Sequence, residues 1–165
     1  MSEAKQLAAL ARIDDLLGRH GIEYWLFGGW AVDFHASSVT RAHDDIDIAV
    51  WVDDRKRIAG LLTADGWRHA PEASEDGYTG YERDSVRLEV AFLARDESEE
   101  VYTPLRDGRA SWPTAAFGND AAELKGVRAR VISLGALKTD KSEAHADPRV
   151  AAKDRADLAT LSGLP

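Results

Sequence analysis

The chain has 165 residues, a formal net charge of −8, 44% hydrophobic and 30% charged residues, and no cysteine. That balance suits one soluble globular unit with a real core; it excludes disulfides, thiolate metal sites and thiol catalysis, and its acidity argues against a nucleic-acid partner, which would need a basic footprint. No apolar run approaches the roughly 20 residues of a membrane span, and the start Met1-Ser2-Glu3-Ala4-Lys5 lacks a secretory signal's apolar segment, so no membrane is involved and the cytoplasm is the expected address.

Over residues 3–18, Leu7, Leu10, Ile13, Leu16 and Leu17 recur at helical spacing, with Gly18 and Gly21 bracketing the exit and His20 a solvent-facing cap residue. Residues 22–27 are short, aromatic and branched, the pattern of a buried strand. The strand ends in Gly28-Gly29, and residues 30–36 read as a short helix. Trp30 and Phe34, four apart, belong to its core side; Asp33 points outward or braces the next loop; His35 is structural. Glycines let backbone amides approach an anion closely, and the following helix aims its positive end at the same place.

After a polar connection over residues 37–41, residues 44–52 form a second strand. Ile46, Ile48 and Val50 share the face that goes into the core, while Asp45, Asp47 and the small Ala49 share the other. Two acids on one strand face repel each other and disfavour the strand, so they call for a reason. Two adjacent hard oxygen ligands are what magnesium needs when it is shared with a triphosphate; the alternative is a solvated strand face. Asp44 falls on the apolar side of the alternation and is expected at the strand's edge, holding Arg41 or the backbone instead of metal.

Taken together, Gly28-Gly29-Trp30-Ala31-Val32-Asp33, Arg41-Ala42-His43 and Asp45-Ile46-Asp47, in that order and spacing, resemble the signature of the small antibiotic nucleotidyltransferases of the DNA polymerase beta-like superfamily, which include aminoglycoside and lincosamide adenylyltransferases. The resemblance covers the first half closely and the second in outline. It implies an α/β (α+β) fold: a single nucleotidyltransferase domain over residues 1–165, with a mixed central sheet flanked by helices. It also implies that the paired aspartates hold divalent metal, with a third carboxylate on a later strand.

Residues 53–65 read as a helix capped by Asp53 or Asp54, burying Ile58, Leu61 and Leu62 and ended by Gly66. Trp67-Arg68-His69 starts a strand with His69 exposed, and residues 71–77 are turn-rich. Residues 78–83 and 86–94, joined around Asp84-Ser85, form a hairpin. In its second arm Val86, Leu88, Val90 and Phe92 are apolar, while Arg87, Glu89 and Ala91 face the other way. This repeats the arrangement of the Asp45 strand, and Glu89 is the third carboxylate. The family often has aspartate there; glutamate reaches one methylene further, which leaves general base and metal ligand both open, against an ion pair with Arg87.

An acidic loop over residues 95–104 leads into a short strand at Val101-Tyr102, with further edge pieces at residues 110–113 and 116–118. Residues 126–133 alternate Val127, Ala129 and Val131 against Arg128 and Arg130, a half-buried strand. Ser133 caps a helix over residues 134–143 that presents Lys138 and Lys141, and His145 lies exposed in the link beyond it. Pro148 opens a last helix carrying Val150, Ala151, Leu158 and Leu161, with Lys153-Asp154-Arg155 and Asp157 on its polar side. Ten acidic residues stand between Glu72 and Glu100 against Arg83, Arg87 and Arg95, and the balance turns basic over residues 124–155. An acidic middle suits a cationic acceptor and a basic later segment suits phosphates, although solvated surface explains most such charges.

The resemblance implies a magnesium-dependent transfer of a nucleoside monophosphate, AMP from ATP, onto a hydroxyl of a small cationic acceptor of the aminoglycoside type or a related antibiotic. Asp45, Asp47 and Glu89 are the catalytic and metal residues, for one or two magnesium ions. Gly28, Gly29, Arg41 and Lys138, with Lys141 as the other lysine of that helix, serve the nucleoside triphosphate. The chain is short beside members with a separate helical acceptor domain, so an acceptor cleft shared in a homodimer is expected. Two other readings stand beside this one. The first is a toxin–antitoxin or phage-defence nucleotidyltransferase modifying protein or RNA, which the net acidity disfavours for RNA. The second is a non-catalytic nucleotide-binding module, which the intact acids disfavour.

Overall fold

A computed structural model describes residues 2–165. Helix α1 (Glu3–Arg19) starts where the Ser2 hydroxyl accepts from the Lys5 amide, and it buries Leu7, Leu10, Ile13, Leu16 and Leu17. Strand β1 (Tyr24–Phe27) runs directly into α2 (Gly28–Ala36), and β2 (Ile46–Trp51) follows the 37–45 loop. A 3-10 turn at Val52–Asp54 leads to α3 (Arg55–Ala64), which buries Ile58 and Leu62 and leaves Leu61 half-buried. Then come β3 (Arg68–His69), β4 (Tyr78–Arg83), β5 (Val86–Arg95), β6 (Val101–Leu105) and β7 (Gly108–Ser111). The chain closes with β8 (Ala121–Leu124), β9 (Val127–Arg130), α4 (Leu134–Lys141) and α5 (Pro148–Ser162).

The main sheet runs β1-β2-β5-β4-β3, with β6 and β7 added along the far end of β5. Only the β2–β5 pair is parallel; β1–β2, β3–β4, β4–β5, β5–β6 and β6–β7 are antiparallel. The expected mixed sheet flanked by helices is thus what forms. β8 and β9 make a separate two-stranded ribbon tied to the main sheet by a parallel bridge between Leu26 and Val131. Ile46, Ile48, Val50, Leu88 and Val90 are fully buried with Leu10 and Ile13 of α1, Ile58 and Leu62 of α3 and Trp30 and Phe34 of α2. Each such side chain contributes about 1.5–3 kcal/mol of apolar burial.

Several expectations need correcting. β2 begins at Ile46, so Asp44 and Asp45 precede the ladder, and α2 begins at Gly28 instead of Trp30. The acidic loop is shorter and β6 longer than the pattern suggests; residues 116–118 form no strand, while β8 arises from an Ala-Ala-Glu-Leu run without strong strand formers. On α5, Asp154 and Asp157 lie buried, not on a solvated polar side, and it is Val150 that is exposed. The reason is electrostatic partnership with α4 and the 37–45 loop. His35 is structural, its Nε2 lying 2.8 Å from the carbonyl oxygen of Ile132.

Candidate active site

The parallel register of β2 and β5 sets Asp47 beside Glu89, and Asp45 comes one turn of pleat earlier on the same side. One carboxylate oxygen from each of the three lies within 4.8 Å of the others, and all three residues are half-buried. Burial, followed by the charges of Asp45 and Glu89, pushes the Asp47 carboxyl well above its ordinary range; Lys141 opposes the shift. Burial and then Asp44 raise Asp45, and burial and then Asp45 raise Glu89. Among the described residues neither Asp45 nor Asp47 makes a salt bridge; Glu89 meets the Arg87 guanidinium at 3.6 Å and shares a hydrogen bond with Asp47. Three hard oxygens this close, with nearby cations that only partly offset their repulsion, could hold a divalent metal ion.

The glycine pair abuts these acids. Antiparallel pairing brings Phe27 opposite Asp47, so the chain enters α2 beside the Asp47 carboxylate. Gly28 takes a φ of +67°, and a Cβ there would collide with Asp47 Oδ2. Gly29 is required for a different reason: a Cβ would meet the Arg41 guanidinium and, at 2.6 Å, His43 Nδ1. Phe27, the residue before α2, makes no side-chain capping hydrogen bond to its first turn, the end of a helix that favours an anion.

The 37–45 loop is held from inside. Asp33, fully buried, accepts from the Thr40 amide at 3.1 Å and hydroxyl at 2.5 Å through Oδ1, and its Oδ2 lies 2.5 Å from His43 Nε2. The His43 ring packs on Trp30 at 4.6 Å, and Gln6 Nε2 donates to the His43 carbonyl. Asp33 therefore braces the loop, one of the two roles its position allowed. Arg41 does not pair with Asp44. It forks onto Asp157, and Asp44 pairs with Lys153, because α5 brings both partners across the loop.

A cavity of about 320 Å³ opens over Asp47 and Glu89. Phe27, Tyr78 and Trp112 give it an aromatic wall, with Phe27 and Trp112 edge to face at 5.2 Å, and Asp76, Asp140 and Glu143 add acids to its lining. Burial raises the Asp140 carboxyl as well. Lys138 is half-buried, has no side-chain partner among the described residues and does not line this cavity; Lys141 is the lysine of α4 whose charge reaches Asp47. Two features went beyond what the sequence pattern gave, the wider network of Arg87 and the burial of Asp154 and Asp157. Arg87 lies over Gly80, with Nη1 donating to the Ala70 carbonyl at 3.1 Å and Nη2 3.1 Å from Glu72, and a glycine directly opposite Glu89 was the available signal. Asp154 and Asp157, three apart on α5, were the other.

A family model described as aminoglycoside-2''-adenylyltransferase matches residues 9–161. Relatives from Escherichia coli and Klebsiella pneumoniae, each a 2''-aminoglycoside nucleotidyltransferase, are 26% identical over 116 residues, covering 70% of this chain and 63% of theirs. The chain thus matches somewhat less than two thirds of the length of these relatives. Among solved structures, the lincosamide antibiotic adenylyltransferase LnuA with lincomycin bound superposes with a TM-score of 0.75 at 18% identity, over 100% of this chain and 99% of that one. ANT(2'')-Ia in complex with adenylyl-2''-tobramycin gives 0.73 at 22% identity, over 95% and 90%. At those identities the likeness is one of fold.

Proposed function

The chain belongs to the aminoglycoside-2''-adenylyltransferase family, and from that premise we propose that it is a magnesium-dependent nucleotidyltransferase moving AMP from ATP onto a hydroxyl of a cationic antibiotic of the aminoglycoside or lincosamide kind. The observation that carries this reading is the convergence of Asp45, Asp47 and Glu89 beside the glycine-opened first turn of α2. Asp45 and Asp47, with Glu89 in reach, would hold magnesium, which when bound neutralises triphosphate charge and acidifies a coordinated hydroxyl.

The remaining work falls to the chain itself. The α2 amides at Gly28 and Gly29 face the phosphates, and Arg41 and Lys141 offset charge that builds on the departing pyrophosphate. Glu89, its carboxyl raised above the ordinary value by burial and Asp45, takes the acceptor's hydroxyl proton. The acceptor oxygen bonds to the α-phosphorus as the bond to the bridging oxygen breaks, and pyrophosphate leaves with the electron pair. The acidic lining at Asp76, Asp140 and Glu143 receives the acceptor's amines, and the aromatic wall receives its sugar or ring faces.

Pyrophosphate release, measured with ATP and magnesium across a panel of aminoglycosides and lincosamides, tests the proposal. Release that depends on one of these acceptors, with the acceptor gaining an adenylyl group by mass spectrometry, is the expected result. ATP binding without acceptor-dependent release across the panel would remove the antibiotic acceptor from the reading.

A further inference from the structure

Three segments distant in sequence meet through charge beside the glycine turn. Arg41, from the 37–45 loop, donates Nε–H to Asp157 Oδ1 at 2.8 Å and Nη2–H to Oδ2 at 2.9 Å. Lys141 of α4 lies with Nζ 3.1 Å from Asp157 Oδ2 and 3.0 Å from Asp154 Oδ1. Asp157 is 1% exposed and the Lys141 side chain 9%, so salt screens this cluster far less than a surface pair. Burial alone would raise the Asp157 carboxyl, yet the Arg41 hydrogen bond and Lys141 outweigh it and hold the group ionised.

Both cations keep donors to spare. Arg41 has five N–H groups and commits three, two to Asp157 and one to the Ala42 carbonyl, leaving two. Lys141 has three and commits two, leaving one. Arg41 packs directly over Gly29, the Lys141 charge reaches Asp47, and both cations converge on Asp157 Oδ2, so they stand side by side next to the first turn of α2 and the acids.

We propose that Asp157 is a positioning residue, which fixes Arg41 and Lys141 side by side as a paired cationic clamp for the triphosphate and so makes α5 set nucleotide affinity. This rests on the function proposed above. A lone guanidinium on a loop samples many rotamers, whereas a bidentate fork holds its plane and leaves the outer edge presented.

The test is calorimetric binding of a non-hydrolysable ATP analogue with magnesium to the full chain, alongside steady-state kinetics. Asp157→Asn should weaken nucleotide binding by about tenfold or more, as loss of a charge-assisted fork implies, with KM for the acceptor unchanged. Asp157→Glu should restore part of the loss. Arg41→Lys, which keeps the charge and loses the fork, should weaken nucleotide binding similarly, and adding Asp157→Asn to it should weaken binding little further. Should Asp157→Asn fail to fold, Arg41→Lys decides alone, and unchanged nucleotide affinity there overturns the proposal. A folded Asp157→Asn with parental affinity, or with equal losses for nucleotide and acceptor, also overturns it. So does tighter nucleotide binding, because the acid would then be a competitor for the cations. A parent chain that binds no nucleotide defeats the proposed function and this inference with it; a binding parent with unaffected variants defeats only the inference.

Discussion

Replacing Asp47 by asparagine keeps the side chain's shape and removes one charge from the acid triad. In the metal-free protein that charge is a burden: its oxygen lies within 4.8 Å of oxygens of both Asp45 and Glu89. At that separation and an effective dielectric of about 20, two unit charges repel by roughly 3.5 kcal/mol. The residues are half-open to water, which leaves a relief of about 1–2 kcal/mol once screening is allowed for. Because the folded Asp47 carboxyl is raised above its ordinary 3.8, its contribution to stability is full below that value and is lost as pH rises through the folded pKa. Chelated parent protein should therefore lose stability as pH rises above 3.8 more steeply than Asp47→Asn. At pH 8 the variant should melt about 2–8 °C higher, at 2–4 °C per kcal/mol for a chain of this size. Magnesium should raise the parent's melting temperature and leave the variant's nearly unmoved. Differential scanning calorimetry with and without chelator reads both. A metal-free variant no more stable than the parent at pH 8 would refute the assignment of net mutual repulsion to these three acids.

Glu89→Gln should cut turnover by roughly 10²–10⁴-fold while nucleotide binding stays near parental if the residue is the general base. Weakened magnesium binding in the same variant would make it a ligand, and full activity would reduce it to a partner of Arg87. Gly29→Ala suits helix propensity by up to about 1 kcal/mol, yet its methyl would press on Arg41 and on His43 Nδ1 at 2.6 Å. A lower melting temperature and weaker nucleotide binding are expected, and a stabilised variant with unchanged binding would show that those neighbours yield freely.

Much of the site was legible because it lies on strands, where a local two-residue period decides which side chains share a face. Alternation selected Asp47 and Glu89 independently, and the parallel register between their strands then set them side by side. The hairpin around Asp84-Ser85 was legible for a similar reason: both residues take positive φ, 51° and 68°, as a two-residue primed turn demands. β8 was not, since its four residues form a strand only because β9 lies alongside. Asp44 and Arg41, three apart in the chain, looked like natural partners. Each instead found a partner more than 100 residues away on α5, which no local pattern encodes.

The exceptions to the pattern share a place and a cause. Periodicity records how side chains sort between water and an apolar core, so it assigns every aspartate of α5 to water. Asp154 and Asp157 are buried because Lys141 and Arg41 supply charge and hydrogen bonds that water would otherwise give. Asp33 is buried by the same exchange with Thr40 and His43. All three acids brace the loop or helices around the glycine turn, not the distant end of the sheet. A buried charge is retained at a cost, and that cost falls where cations and amides must be held in one arrangement before a ligand arrives. The buried acids the alternation missed are thus those that fix the position of other groups, whereas the acids it found are those that gather into the half-buried triad.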